Sequence, residues 1–146
     1  MKRSPIKFSN PMLKRCEFVT NEGFLQQISQ AADKPHPVTI RIQPKIEITE
    51  LSNFQYVASL QTVVGEKSDS CPFFADITMQ AMFEIGKGVP EDIKQGYRKV
   101  NFPAVLYSYI RPILSFLTVN AGLRPYNLPF MDFTDVETNN TKPSQE

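Results

Sequence analysis

"FFADITMQAMFEI", residues 73–85, alternates without a break. Phe73, Ala75, Ile77, Met79, Ala81, Phe83 and Ile85 fall on one side; Phe74, Asp76, Thr78, Gln80, Met82 and Glu84 fall on the other. Successive side chains of a strand point to opposite faces, so this period of two predicts a strand with one buried and one solvated face. Working toward the N-terminus, residues 54–64, "FQYVASLQTVV", predict a second strand, and "GEKSDSCP" between the two is a loop of polar and turn-forming residues. Residues 38–49, "VTIRIQPKIEIT", predict a third, with Val38, Ile40, Ile42, Ile46 and Ile48 on the apolar side. The intervening "ELSN" is a hairpin turn, because Ser52 and Asn53 can bond their own backbone. Pro44 cannot donate a ladder hydrogen bond, which puts its strand at a sheet edge or on a bulge.

Outward from this meander, "KRCEFVT" at 14–20 gives a further strand, and "NEGFLQQISQAADKPHP" after it is too long for a hairpin and has to cross the end of the sheet. On the C-terminal side, "GKGVPEDIKQGY" holds a short helix at most. A main helix then starts near Asn101 as N-cap, with Pro103 in its first turn. Pro112 should kink it around residue 108, and Gly122 ends it. The expected fold class is α+β: a four-stranded antiparallel sheet of long strands, with a crossover after the first, packed by one long C-terminal helix. Residues 1–133 form one domain, and 134–146, "TDVETNNTKPSQE", read as a disordered polar tail.

The helix and the segment behind it, "NFPAVLYSYIRPILSFLTVNAGLRPYNLPFMDF" at 101–133, carry more apolar surface than this fold needs. The only polar stripe is Ser108, Arg111, Ser115 and Thr118. A helix on one sheet requires an apolar arc of roughly 100°. Four long strands at about 4.8 Å spacing give an apolar face on the order of 600 Å², and a helix about 30 Å long and about 10 Å wide covers about half of it. Monomers rarely leave patches of several hundred Å² bare. Another subunit, a ligand or a client polypeptide is therefore expected to cover the rest.

Composition narrows the classes. Sixteen Lys and Arg against fifteen Asp and Glu leave a net charge of +1, which gives no electrostatic case for nucleic acid or an anionic membrane. Prolines and polar residues interrupt every long apolar run, so membrane insertion is not expected, and the basic N-terminus lacks an apolar signal core. A cytoplasmic location is the expectation. Cys16 and Cys71 match no metal-ligand spacing and read as reduced small hydrophobes. The single histidine, His36, stands between Pro35 and Pro37 with no nucleophile or metal spacing beside it, and "GKG" at 86–88 is no phosphate loop. Neither an enzyme nor a cofactor is indicated.

The order of these parts resembles the SecB-type export chaperones. The family's helix motif of leucine, aromatic, proline, tyrosine, small or branched, arginine is matched by Leu106, Tyr107, Ser108, Tyr109, Ile110 and Arg111. Its glycine, proline-rich turn and apolar strap are matched by Gly122, Pro125, Leu128, Pro129, Asp132 and Phe133. The likeness covers about residues 14–133. The motif proline is Ser108 here, Pro112 replaces the usual glutamate, and no second C-terminal helix follows Phe133.

The resemblance implies a homotetramer, a dimer of dimers, with the first two strands at opposite sheet edges. Its helices would meet through Leu106, Ile110, Ile113, Leu114 and Leu117. It also implies passive, ATP-independent holding of unfolded polypeptides in apolar grooves, with Phe24, Leu25, Ile40, Ile42, Tyr109, Leu128 and Phe130 as the client-binding set. Phe74 and Asp76 match positions at which export members dock the SecA motor. The receiving partner is SecA, or else an antitoxin, as in solitary SecB-like proteins of toxin–antitoxin systems. A carrier of lipid or another hydrophobic small molecule is the rival reading, since a sheet under a greasy helix can also enclose a ligand.

Overall fold

A computed structural model describes residues 1–30 and 38–142. His36, and with it the end of the expected crossover, lies outside the described residues. The strands are β1 (Ile6–Phe8), β2 (Met12–Thr20), β3 (Ile42–Glu50), β4 (Gln55–Gly65), β5 (Phe73–Ile85) and β6 (Thr138–Thr141). They form one sheet in the order β1-β5-β4-β3-β6, with β2 also paired to β5.

The meander β3–β4–β5 is antiparallel in the expected register, with Ile46 opposite Leu60 and Leu60 opposite Met79. The residues assigned to the apolar side are the core: Ile46, Ala58, Leu60, Ala75, Ile77 and Phe83 are fully buried. Ser52 accepts the N–H groups of Phe54 and Gln55 through Oγ at 3.4 and 3.2 Å, which is the self-bonding turn expected at "ELSN". β2 and β3 lie on opposite sides of β4–β5. Pro44 sits beyond the stretch of β3 that has a neighbour on its outer side, since β6 pairs only Ile46–Thr49.

Three expectations are corrected. First, the sheet has six strands and is mixed, because β1 joins β5 and β6 runs parallel to β3. Residues 138–141 thus form a strand where a disordered tail was expected. Pro125 and Pro129 keep the preceding strap out of the ladder, and pairing resumes only after the last of them.

Second, the connection after β2 contains helix α1 (Glu22–Gln30). It is fastened by Asn21, whose side-chain amide donates to the carbonyls of Glu66 and Cys71 at 2.8 and 2.7 Å. Gly23 leaves room for the Asp69 carboxylate, which would come within 2.2 Å of any Cβ there. A carboxylate beside a helix N-terminus is favourable.

Third, the main helix does not begin at Asn101, which has helical dihedrals and no side-chain cap. It begins after Pro90 as α2 (Glu91–Gly96), passes through a π-turn at Tyr97–Asn101, and continues as α3 (Phe102–Asn120). Pro103 has no N–H, and its ring crowds the carbonyl four residues back. The ladder widens just before it, and the Phe102 N–H bonds Tyr97 O, five residues away. The helix runs on through Pro112. Gly122 ends it as expected, with φ +79°. Leu123 N–H bonds Thr118 O and Gly122 N–H bonds Val119 O, the paired closure of a Schellman cap.

Candidate functional site: the two flanks of the long helix

Successive residues of a helix are turned by about 100°, so Tyr109 and Arg111 project about 160° apart. The two flanks they mark are built differently. Between them, the inward arc of Leu106, Ile110 and Leu114 is fully buried on the sheet, with Phe102 stacked on Phe83 at 4.1 Å between centroids.

On the Arg111 flank lies the strap that leaves Gly122. Tyr126 N–H donates to Thr118 Oγ1 at 2.9 Å, Arg111 Nε donates to Leu128 O at 2.8 Å, and Tyr107 OH donates to Pro129 O at 2.8 Å. The strap therefore runs antiparallel to the helix, with its backbone satisfied by helix side chains, because its prolines deny it a ladder. This explains the polar stripe: Arg111 and Thr118 hold the strap. Leu128 and Phe133 turn into the core, whereas Phe130 is 90% exposed with the Arg111 guanidinium 4.5 Å from its ring centre. Burial raises the Tyr107 hydroxyl's pKa, which keeps it a donor.

On the other flank, Val105, Tyr109, Pro112, Phe116 and Val119 follow one another at spacings of four, three, four and three, the a/d repeat of an interhelical seam. Tyr109 is 41%, Phe116 68% and Val119 49% exposed. Phe8 of β1 meets Tyr109 edge-on at 6.4 Å and extends this apolar surface across the sheet edge.

The expected client set is split by this geometry. Phe130 stands free on the strap flank, and Ile40 and Ile42 are partly buried against the core. Tyr109 is on the opposite flank. Phe24 is buried, and Leu25 beside it is half-buried. Leu128 is corrected to a core residue, fully enclosed beneath the strap. The expected interface set is corrected likewise: Leu106, Ile110 and Leu114 are consumed by the chain's own core, and only Ile113 and Leu117 are partly accessible. Phe116 and Val119, which lie outside the expected interface set, are the exposed ones. Sorting the helix by its 100° period around Arg111 and Thr118 would have found them.

Phe74 and Asp76 do share the solvated sheet face, opposite Val19 and Glu17 of β2. Asp76 is nearly buried, however, and its carboxylate accepts from Gln61 Nε2 at 3.0 Å and Arg15 Nε at 3.2 Å. Glu17 is held below the usual carboxylate range by its hydrogen bond from Lys67, with the Arg15 charge adding to the effect. Lys67 also sits 4.8 Å over the Phe74 ring. Local cations thus neutralise both carboxylates.

The family model described as preprotein translocase subunit SecB matches residues 20–142. The chain belongs to the SecB family. The match runs past the strap and through β6. An uncharacterised protein of Methanocaldococcus jannaschii is 25% identical over 126 residues, 85% of this chain and 77% of that protein. The protein-export protein SecB of Paracoccus denitrificans is 24% identical over 81 residues, 55% of this chain and 45% of its own length. A SecB-like chaperone of Mycobacterium tuberculosis, solved in complex with a peptide from an antitoxin, superposes with a TM-score of 0.61 at 15% identity, covering 87% of this chain and 88% of that one. A protein of unknown function from Streptococcus agalactiae gives 0.56 at 12% identity, over 86% and 97%. These likenesses place the helix, its strap and the sheet beneath them in a SecB-family fold.

Proposed function

We propose that the protein is a cytoplasmic, ATP-independent holdase that binds unfolded polypeptides along its apolar surfaces and releases them to a partner. The observation that supports this most is the SecB family match over residues 20–142, together with Phe130 exposed on the strap. The apolar flank of Tyr109, Phe116 and Val119 is a separate exposed surface of the kind that monomers rarely leave bare. The heptad spacing of the flank suits a second copy of the same helix, and a homotetramer built as a dimer of dimers uses it. Clients then lie along Ile40, Ile42 and Phe130, where many non-directional contacts give affinity without reading sequence.

A dedicated client such as an antitoxin suits the chain better than general delivery to SecA. Asp76 and Glu17, which a docking motor would have to engage, are already occupied by Arg15, Gln61 and Lys67. The similar Mycobacterium tuberculosis chaperone was solved with an antitoxin peptide.

The test compares binding of a permanently unfolded, reduced and carboxymethylated polypeptide with native mass in one series. Ile42→Asp and Phe130→Glu should weaken binding at least about tenfold, about 1.4 kcal/mol, at unchanged mass. Unchanged affinity in both variants would contradict the client surface.

A further inference from the structure

From Phe102 to Met131, through α3 and the strap, the only charged residues are Arg111 and Arg124, with no carboxylate among them. This is a positive stretch in a chain whose net charge is only +1. Elsewhere Arg15, Lys45, Lys67 and Arg98 each pair with a carboxylate. Arg111 pairs with none among the described residues. Its Nε donates to Leu128 O, and its two terminal nitrogens find no acceptor among those residues. The guanidinium lies 4.5 Å from the centre of the Phe130 ring, which is itself exposed. The bond at Nε and the ring together hold the guanidinium in one orientation. Little side-chain freedom is then lost when its outer edge takes a partner. Holding the strap accounts for Nε and leaves that edge unused.

We infer that Arg111 and Phe130 form a subsite selecting client segments that carry an acidic side chain within two residues of an aromatic or other large apolar one. The planar fork of an arginine matches both oxygens of a carboxylate. Phe130 offers the apolar neighbour its open face. In an extended client, side chains two residues apart project to the same side, so one segment reaches both groups. A fully exposed ion pair contributes little, but a half-buried, pre-oriented guanidinium does better. This rests on the holdase reading and adds a charge preference to it: apolar contacts supply the affinity, and Arg111 ranks the clients.

The test measures the affinity of the full-length protein for two unfolded peptides, blocked at both ends. They are identical except that one has Asp and the other Asn two residues before a Phe. The Asp peptide should bind about fivefold tighter at low salt, and high salt should shrink that advantage. Arg111→Gln should bring the ratio to about one. Phe130→Ala, which frees the guanidinium plane, should lower it to about twofold. A strap that had merely loosened would weaken both peptides alike, so the ratio separates recognition from folding. A ratio of about one in the unaltered protein would overturn the subsite and leave the holdase reading standing. So would a preference that survives either substitution undiminished. Failure of the unaltered protein to bind either peptide or the reduced, carboxymethylated polypeptide would overturn both.

Discussion

The two flanks of the long helix differ in composition and meet opposite fates. On the Arg111 flank the chain covers itself: Thr118, Arg111 and Tyr107 each bond a strap backbone group, and Leu128 and Phe133 fill the core beneath. On the Tyr109 flank no strap lies among the described residues; Phe8 of β1 meets Tyr109 edge-on, and Phe116 stays 68% exposed. The difference lies in the polar residues. A flank that offers hydrogen bonds can hold an extended proline-containing segment whose own N–H and C=O groups need partners. A flank of Val, Tyr, Pro and Phe offers a single hydroxyl, that of Tyr109, and little else to satisfy a backbone. One flank is closed by the chain's own strap; the other is the surface proposed above to meet a second copy.

That contrast can be broken by substitution. The largest effect on stability is expected inside both flanks, where Ile110→Ala should lower unfolding free energy by about 2–5 kcal/mol in a urea titration. Arg111→Ala strands the buried Leu128 carbonyl, and a loss of about 1–3 kcal/mol is expected. Faster exchange confined to the strap would separate this variant from Ile110→Ala. Phe116→Glu should reduce native mass while the protomer stays folded, with hydrogen-exchange protection in β4 and β5 retained. A stable variant of unchanged mass would show that the bare flank is not a seam between copies.

The smallest effect concerns the solvated sheet face. Glu17 has a lowered folded-state pKa through Lys67, so its contribution is present above the pKa of the unfolded chain and fades as pH falls through the folded one. Carboxylate titration followed by NMR should place Glu17 below a free glutamate, and Lys67→Ala should return it toward the ordinary value.

The meander was legible because 38–49 and 73–85 alternate over their whole length, and alternation fixes both the faces and, with one buried side, the register, although 54–64 puts Val57 and Val63 outward and Thr62 inward. The Gly122 stop was legible for an equally local reason. The helix start was not: Asn101 and Pro103 look like a cap and first turn, yet the helix reaches back to Glu91 through a π-turn, tied to the sheet by Lys94 on Asn53 O and Arg98 on the Tyr56 hydroxyl. β6 was not legible either, since a four-residue polar strand has no apolar period and is specified by the edge it pairs with. For the site, Phe130 came from the family resemblance alone, and its exposure appears only in the structure. Leu106, Ile110 and Leu114 were misassigned because an apolar residue on a helix does not reveal which side it faces until the polar residues are phased with it.

The most direct test is dilution of a chemically unfolded, slow-folding polypeptide into the purified protein, with light scattering and the mass of the complex taken in the same run. The account predicts suppressed aggregation and a tetramer holding the chain. A monomer or dimer with no effect on aggregation would contradict it.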